Sequence, residues 1–231
     1  MMDAKASDRR RTNRTALPEM LVIRHGETQW NVEGRLQGHG DSPLTLNGVR
    51  QTFAVAATLH AQLPDLAAAR LWVSPLGRAR QTASILAGAW DIPFDRFQVE
   101  PALAERSFGL WEGLTLAEVE ANFPQDFAHH ARDPWRYAIA GGETRAAFTS
   151  RLENWLATLE PSMSHVLVVH SGCLRALRGI VTGADRETIL AYREPQTTAL
   201  HLAEGRERLI DIEPALLGLF GCHGPGRTVA I

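Results

Sequence analysis

The sequence predicts an α/β fold, a three-layer α/β/α sandwich around a mostly parallel sheet. Two observations carry this. Short, continuous apolar runs, "MLVI" at 20–23 and "HVLVV" at 165–169, read as strands covered on both faces. Segments with helical spacing of apolar residues separate these runs from one another, and such alternation is the mark of a layered α/β domain.

Along the chain, "MLVIR" is the first strand. A polar, Gly-rich stretch follows, "HGETQWNVEGRLQGHGDSP", too irregular for either period. "LTLNGVRQTFAVAATLHAQL" is helical, with Thr45 as N-cap and Leu46, Val49, Phe53 and Ala57 assigned to one face. "RLWVSP" is a second strand, ended by Ser-Pro. "LGRARQTASILAGAW" returns to helix, with Ala79, Thr82, Ala83 and Leu86 in register. After the strand at 165–169, "CLRALRGIVTG" is helical with Gly183 as its stop. "TTALHLAEGRERLIDIE" reads as a hairpin turning near Glu204-Gly205.

Residues 105–150, rich in aromatics, Gly and Pro, fit this pattern least. They are expected to form an insertion over the C-terminal edge of the strands. Residues 18–231 are read as one domain, ending in an irregular tail from about 214. Residues 1–17 are read as a disordered basic tail, because they carry five cations against two acids and no apolar run.

Composition narrows the function classes. The 231 residues carry a net charge of -2, so residues 18–231, without the +3 head, carry -5. Such a body offers no basic field for nucleic acid. No segment reaches the ~18 apolar residues of a membrane helix. Cys173 and Cys222 form neither a disulfide framework nor a zinc spacing, and the expected compartment is the cytoplasm.

The three clear strands end alike. The first leads into Arg24-His25-Gly26, the second into Ser74-Pro75 with Arg78 opening the next helix, the third into His170-Ser171-Gly172. In open parallel sheets ligands bind beyond the carboxyl ends of the strands. Two imidazoles and two guanidiniums therefore converge on one crevice, where helix N-termini add further positive potential. That is a place for a dianion. A single His or Arg at a strand end is more often structural; three equivalent ends filled in this way are not.

"RHGETQWN", "SPLGRARQTA", "LAERSFGLWEG", "GGET" and "VVHSGCLRAL", in this order and spacing, resemble the histidine phosphatase superfamily, the phosphoglycerate mutase-like proteins, over residues 20–203. The resemblance implies His25 as nucleophile and Glu105 as proton donor and acceptor. It implies Arg24, Arg78 and His170 as holders of the phosphoryl oxygens, with Asn31 as a phosphate contact. Gln37 and Gly38 would line the substrate pocket. The family's second histidine is commonly followed by Gly, and here Ser171 stands there, a potential additional phosphate contact. Glu112 is a second carboxylate close to Glu105, read as a cap or as facing substrate. The remaining histidines show no metal-ligand spacing; among them only His39 lies in the expected pocket loop. "RDPWRY", 132–137, is either a specificity wall or a packing edge.

The function implied is metal-independent hydrolysis of a small phosphorylated metabolite through a phosphohistidine, with no cofactor and no metal. The alternatives are mutase-type phosphoryl transfer and a non-catalytic phosphate-binding module. Mutases of the family carry a longer segment between the equivalents of Glu105 and His170, with extra basic residues for a second acidic group. No Arg-Arg pair stands there in this chain, which favours the phosphatase branch. Aromatics of the insertion, if exposed, would support a homodimer.

Overall fold

The computed structural model describes residues 17–62, 68–194, 196–212 and 214–219. Residues 1–16 of the expected basic tail and residues 220–231 of the expected irregular end lie outside them.

Six strands form one sheet in the order β3-β2-β4-β1-β5-β6: β1 (Met20–Arg24), β2 (Arg70–Val73), β3 (Phe97–Val99), β4 (His165–Val169), β5 (Ala199–Ala203) and β6 (Arg206–Ile210). β1, β2, β3 and β4 run parallel; β5 and β6 add an antiparallel edge. The sandwich follows from the two-residue period of a strand. Leu21 and Ile23 of β1, with Val166 and Val168 of β4, face one way. There they meet α2 (Leu46–Gln62) and α3 (Gly77–Ala89). Met20 and Val22, with Leu167 and Val169, face the other way, against α6 (Arg145–Leu156) and α7 (Ser171–Thr182). The runs 20–23 of β1 and 166–169 of β4 are unbroken in apolar residues because both faces of these central strands are covered.

The hairpin turns through Glu204 and Gly205, both at positive φ, 52° and 74°. That pairing matches the twist of a two-residue hairpin loop. Gly183 ends α7 in the left-handed conformation at φ 73°. Thr45 caps α2 as expected, its Oγ1 accepting from the Gly48 N–H at 2.9 Å.

Three expectations need correction. The face assigned to α2 is the outer one: Leu46 is 66% and Phe53 38% exposed. The buried side carries Gly48, Gln51, Thr52, Val55 and Leu59. It is semi-polar because α2 packs on the turn after β1, not only on apolar strand faces. A Cβ on Gly26 would lie 2.5 Å from the Gly48 carbonyl oxygen, and one on Gly48 would lie 2.1 Å from that of Glu27. Secondly, β3 is a strand that was not anticipated; with three residues it offers too little pattern. Thirdly, Pro214–Leu219 is a short helix, α9, where an irregular end was expected. Proline at a first helical position is pre-set for the helix, and α9 packs on α2.

The insertion contains α4 (Leu116–Asn122) and α5 (Pro124–Arg132) and builds its own small core. Trp111, Val119 and Ile139 are buried with Leu36, and Phe108, Phe123, Phe127 and Tyr137 pack against them. The aromatics therefore turn inward, which removes the reason given for a dimer contact.

Candidate active site

The ladder of the sheet sets the floor of the site. The backbone N–H of His25 donates to the Val169 carbonyl at 2.9 Å, and that of Ser74 to Val168 at 3.0 Å. The residues immediately past β1, β2 and β4 are thus fixed by the same parallel register. One cavity opens there, lined among others by Arg24, His25, Asn31, Gln37, Gly38, Arg78, Glu105 and Ser171. Eight of the nine residues expected at the site meet in it. His170 does not line it; it lies behind, 5.2 Å from His25 between ring centroids.

His25 is buried, and its Nδ1 sits 2.7 Å from the Gly26 carbonyl oxygen. A carbonyl only accepts, so Nδ1 carries the proton and Nε2 keeps a lone pair. Burial, then the positive charges of Arg78 and Arg24, push the His25 pKa well below 6.5. The imidazole is neutral at physiological pH, the form that can attack phosphorus.

Arg78, at the start of α3, is held from several sides. Its Nε donates to His170 Nδ1 at 3.2 Å, Nη1 to the Gly40 carbonyl at 2.8 Å and to Asp41 at 3.1 Å, and Nη2 to the Gly38 carbonyl at 2.8 Å. Of five N–H donors one remains on Nη2 for a ligand. Because His170 accepts at Nδ1, its Nε2 donates to Ser74 Oγ at 2.7 Å. His170 thus braces Arg78 from behind. Arg24 ends β1, and its Nη1 donates to the Glu194 carbonyl.

The loop after β1 closes the pocket side. Thr28 caps α1 (Gln29–Glu33), and the Asn31 carboxamide oxygen accepts the Thr28 N–H at 3.0 Å. The Asn31 NH2 is left for the cavity. Gln37 Nε2 donates to Thr28 Oγ1 at 2.8 Å.

Glu105 reaches the cavity from the loop before the insertion. Its Oε1 accepts the Arg106 N–H at 2.8 Å and its Oε2 the Gly172 N–H at 2.9 Å. Glu112 has the other job. It accepts from the backbone N–H groups of His39, Gly40 and Phe108 and from Ser107 Oγ, all within 3.1 Å. Burial raises its pKa, but these bonds outweigh that and hold it below the usual value. Glu112 is a structural clamp, as the capping reading has it. His39 touches the Glu105 carbonyl through Nε2 at 2.9 Å. In "RDPWRY", Arg132 and Arg136 point to solvent and Trp135 packs under Arg186 of α8 (Arg186–Ala191), so the segment is a packing edge.

The sequence reading gave no role to Arg106, Arg145 or Arg175, and all three line the cavity with Arg35, Phe108 and Phe148. A signal existed for one of them: Arg175 lies four residues after Ser171, on the same helical face. Arg106 and Arg145 come together only through the fold of the insertion. The missing Arg-Arg pair therefore does not separate hydrolysis from mutase-type transfer, since two arginines of that segment meet in space. Among the described residues no three His, Cys, Asp or Glu gather as a metal site, and no helix is long and apolar enough to cross a membrane.

A layered α/β fold with a neutral imidazole set among guanidiniums at the strand ends suits a protein that handles phosphoryl groups. The chain belongs to the histidine phosphatase superfamily (branch 1), whose pattern matches residues 20–213. It is 32% identical to the adenosylcobalamin/α-ribazole phosphatase of Escherichia coli, over 77% of this chain and 85% of that protein. It is 28% identical to human 6-phosphofructo-2-kinase/fructose-2,6-bisphosphatase 1 over 79% of this chain; the match spans only 36% of that longer protein. The crystal structure of the α-ribazole phosphatase from Shigella flexneri superposes with a TM-score of 0.70 at 28% identity, covering 83% of this chain and 94% of that one.

Proposed function

We propose that this protein is a metal-independent phosphomonoesterase that acts on a small phosphorylated metabolite in the cytoplasm through a phosphohistidine at His25. The carrying observation is the His25 tautomer: Nδ1–H is held by the Gly26 carbonyl, so Nε2 presents its lone pair beside Arg24 and Arg78. Relatives named as phosphatases support the same reading.

In the first step His25 Nε2 attacks phosphorus and the bond to the ester oxygen breaks. Glu105, as the carboxylic acid, gives its proton to the departing alkoxide. In the second step the Glu105 carboxylate takes a proton from water as that water attacks phosphorus. The N–P bond breaks and neutral His25 is restored. Arg24 and the free Arg78 donor stabilise the equatorial oxygens, where charge gathers in the transition state. Asn31 and the Ser171 hydroxyl, at the start of α7, add neutral donors. Gln37 and Gly38 shape the wall, the latter also holding Arg78 through its carbonyl.

The test is a turnover screen against phosphomonoesters in EDTA, with and without bisphosphoglycerate, following phosphate release and isomer formation. Metal-independent release that vanishes in His25→Ala supports hydrolysis. Isomerisation without release makes the protein a mutase. Silence in folded protein leaves the non-catalytic phosphate-binding reading.

A further inference from the structure

Arg24 holds the phosphoryl group in the proposed chemistry, and its own setting depends on a residue far along the chain. The Glu194 carbonyl accepts from Arg24 Nη1, and the Arg24 backbone N–H donates to the Thr198 carbonyl at 3.4 Å. Glu194 lies between α8 and β5 and is 2% exposed. One residue thus gives Arg24 a backbone acceptor and brings a buried carboxylate close behind it.

Such a carboxylate is a competitor. It offers a guanidinium the same paired oxygens that a phosphate does. A buried carboxylate deprived of its counter-charge turns to the nearest cation, because standing bare is costly. The charge of Glu194 already acts on the site. Burial, then Arg175, draws the Arg24 pKa down to about 10, and Glu105 and Glu194 pull the other way. Arg175, lowered by burial, is held up by Glu105 and Glu194 in the same manner.

Another guanidinium takes the Glu194 carboxylate instead. Arg178, two turns into α7, gives Nη1 to Glu194 Oε1 at 2.5 Å. It gives Nε and Nη2 to the two carboxylate oxygens of Glu207 on β6, each at 2.6 Å. The Tyr192 ring lies against the same guanidinium, 3.6 Å away. One cation therefore serves two carboxylates. The two-pronged bond to Glu207 and the ring fix where it stands, and the bond to Glu194 then fixes where that carboxylate points. Burial lowers the Arg178 pKa, but the bonds to Glu207 and Glu194 outweigh it and raise it above the ordinary value.

We propose that Arg178, set in place by Glu207 and Tyr192, is a positioning residue that draws the Glu194 carboxylate aside and so keeps it from competing with phosphate for Arg24. The role given to Arg24 rests on the phosphatase reading; the grip on Glu194 is read from the ion pairs themselves.

The test is calorimetric titration of inorganic phosphate into the whole chain and its variants, each shown to melt cooperatively. Arg178→Gln is expected to weaken phosphate binding about tenfold or more, the worth of one hydrogen bond between charged groups. Adding Glu194→Gln, which keeps an oxygen acceptor and loses the charge, should return the dissociation constant to within about threefold of the unsubstituted protein. Arg178→Lys, a cation without the planar fork, serves where Arg178→Gln does not melt cooperatively. It should weaken binding by about threefold or more, again restored by Glu194→Gln. A staple that only stiffens the loop would lower the melting temperature and give no such restoration. That result would overturn the proposal, as would phosphate binding unchanged by substitution of Arg178. Turnover of an aryl phosphate by the unsubstituted protein is followed separately. Loss and restoration of binding without turnover keep the proposal and remove the hydrolase reading; turnover with binding indifferent to Arg178 does the reverse. No binding of phosphate by the unsubstituted protein overturns the proposal whatever the turnover.

Discussion

Gly172 and Glu105 are in direct contact: the Gly172 N–H donates to Glu105 Oε2 at 2.9 Å, and a Cβ on residue 172 would lie 2.1 Å from Oε1. The glycine after Ser171 is thus explained by the carboxylate it seats, since any side chain would push Glu105 off its place. Gly172→Ala is expected to lower kcat on alkyl phosphates by about 10- to 100-fold, a displaced acid being a poor one. Folding should be little affected. Rates equal to the unsubstituted protein would show that the seat of Glu105 does not matter.

Glu105→Gln has a single carboxamide oxygen, so it keeps one of the two backbone bonds, and it has no proton to give. The loss should reach about 100-fold or more for esters with poor leaving groups. An aryl phosphate, whose phenolate leaves unaided, should lose much less. Kinetics on both esters decide the role, and equal losses would argue against proton transfer by Glu105.

The sheet and most of the site were legible because they depend on local rules. A strand covered on both faces shows as an unbroken apolar run, and the parallel register then brings three strand ends together without further information. Arg24, His25 and Arg78 needed only that. The face of α2 was misread because packing there is set by Gly26 against Gly48, a backbone contact that no hydrophobic pattern reports. The second arginine group was missed for a related reason. Arg106 and Arg145 are joined by an insertion whose own core, Trp111 and Ile139 included, uses residues with no regular period. The position of His170 behind Arg78, not on the cavity wall, depends on Ser74 and so on side-chain geometry alone.

His25→Ala removes the Nε2 lone pair that attacks phosphorus in the proposed chemistry. Turnover should vanish, and the acid-labile phosphoenzyme seen on rapid quenching of the unsubstituted protein should vanish with it. The fold should remain, since the imidazole packs around one short bond to Gly26. A phosphoenzyme that persists in the variant would move the nucleophile elsewhere.

Glu112 ties the 38–40 loop to the insertion through four donors, and the carbonyls of Gly38 and Gly40 in turn hold Arg78. Glu112→Ala leaves several of those donors without a partner. A loss of about 2–4 kcal/mol is expected, from hydrogen bonds to a charged acceptor. It should appear as a melting temperature lower by several degrees, together with a raised KM as Arg78 loosens. An unchanged KM would uncouple the clamp from the site.

Acid should weaken the fold before the carboxylates titrate. Burial first, then Arg106 and Arg145, pull the His130 pKa to about 4, and His25 and His170 lie well below 6.5. In the unfolded chain these groups titrate near 6.5, so between that pH and their folded values the unfolded state binds more protons. Stability is therefore complete above about pH 6.5 and falls as the pH drops through the window. Glu112, Glu207 and Asp185 are held below their ordinary values and begin to cost stability only under about pH 4.5. His130 is the informative position, because it packs edge-on against Trp111 at 5.3 Å and its Nε2 is buried with no partner. His130→Phe keeps the aromatic packing and removes the titration. Denaturation at pH 7, 6 and 5 should show a shallower loss in the variant, by up to about 1.4 kcal/mol per pH unit, the slope of a single proton. Parallel pH profiles for the two proteins would mean that His130 takes up its proton as readily in the folded chain as outside it.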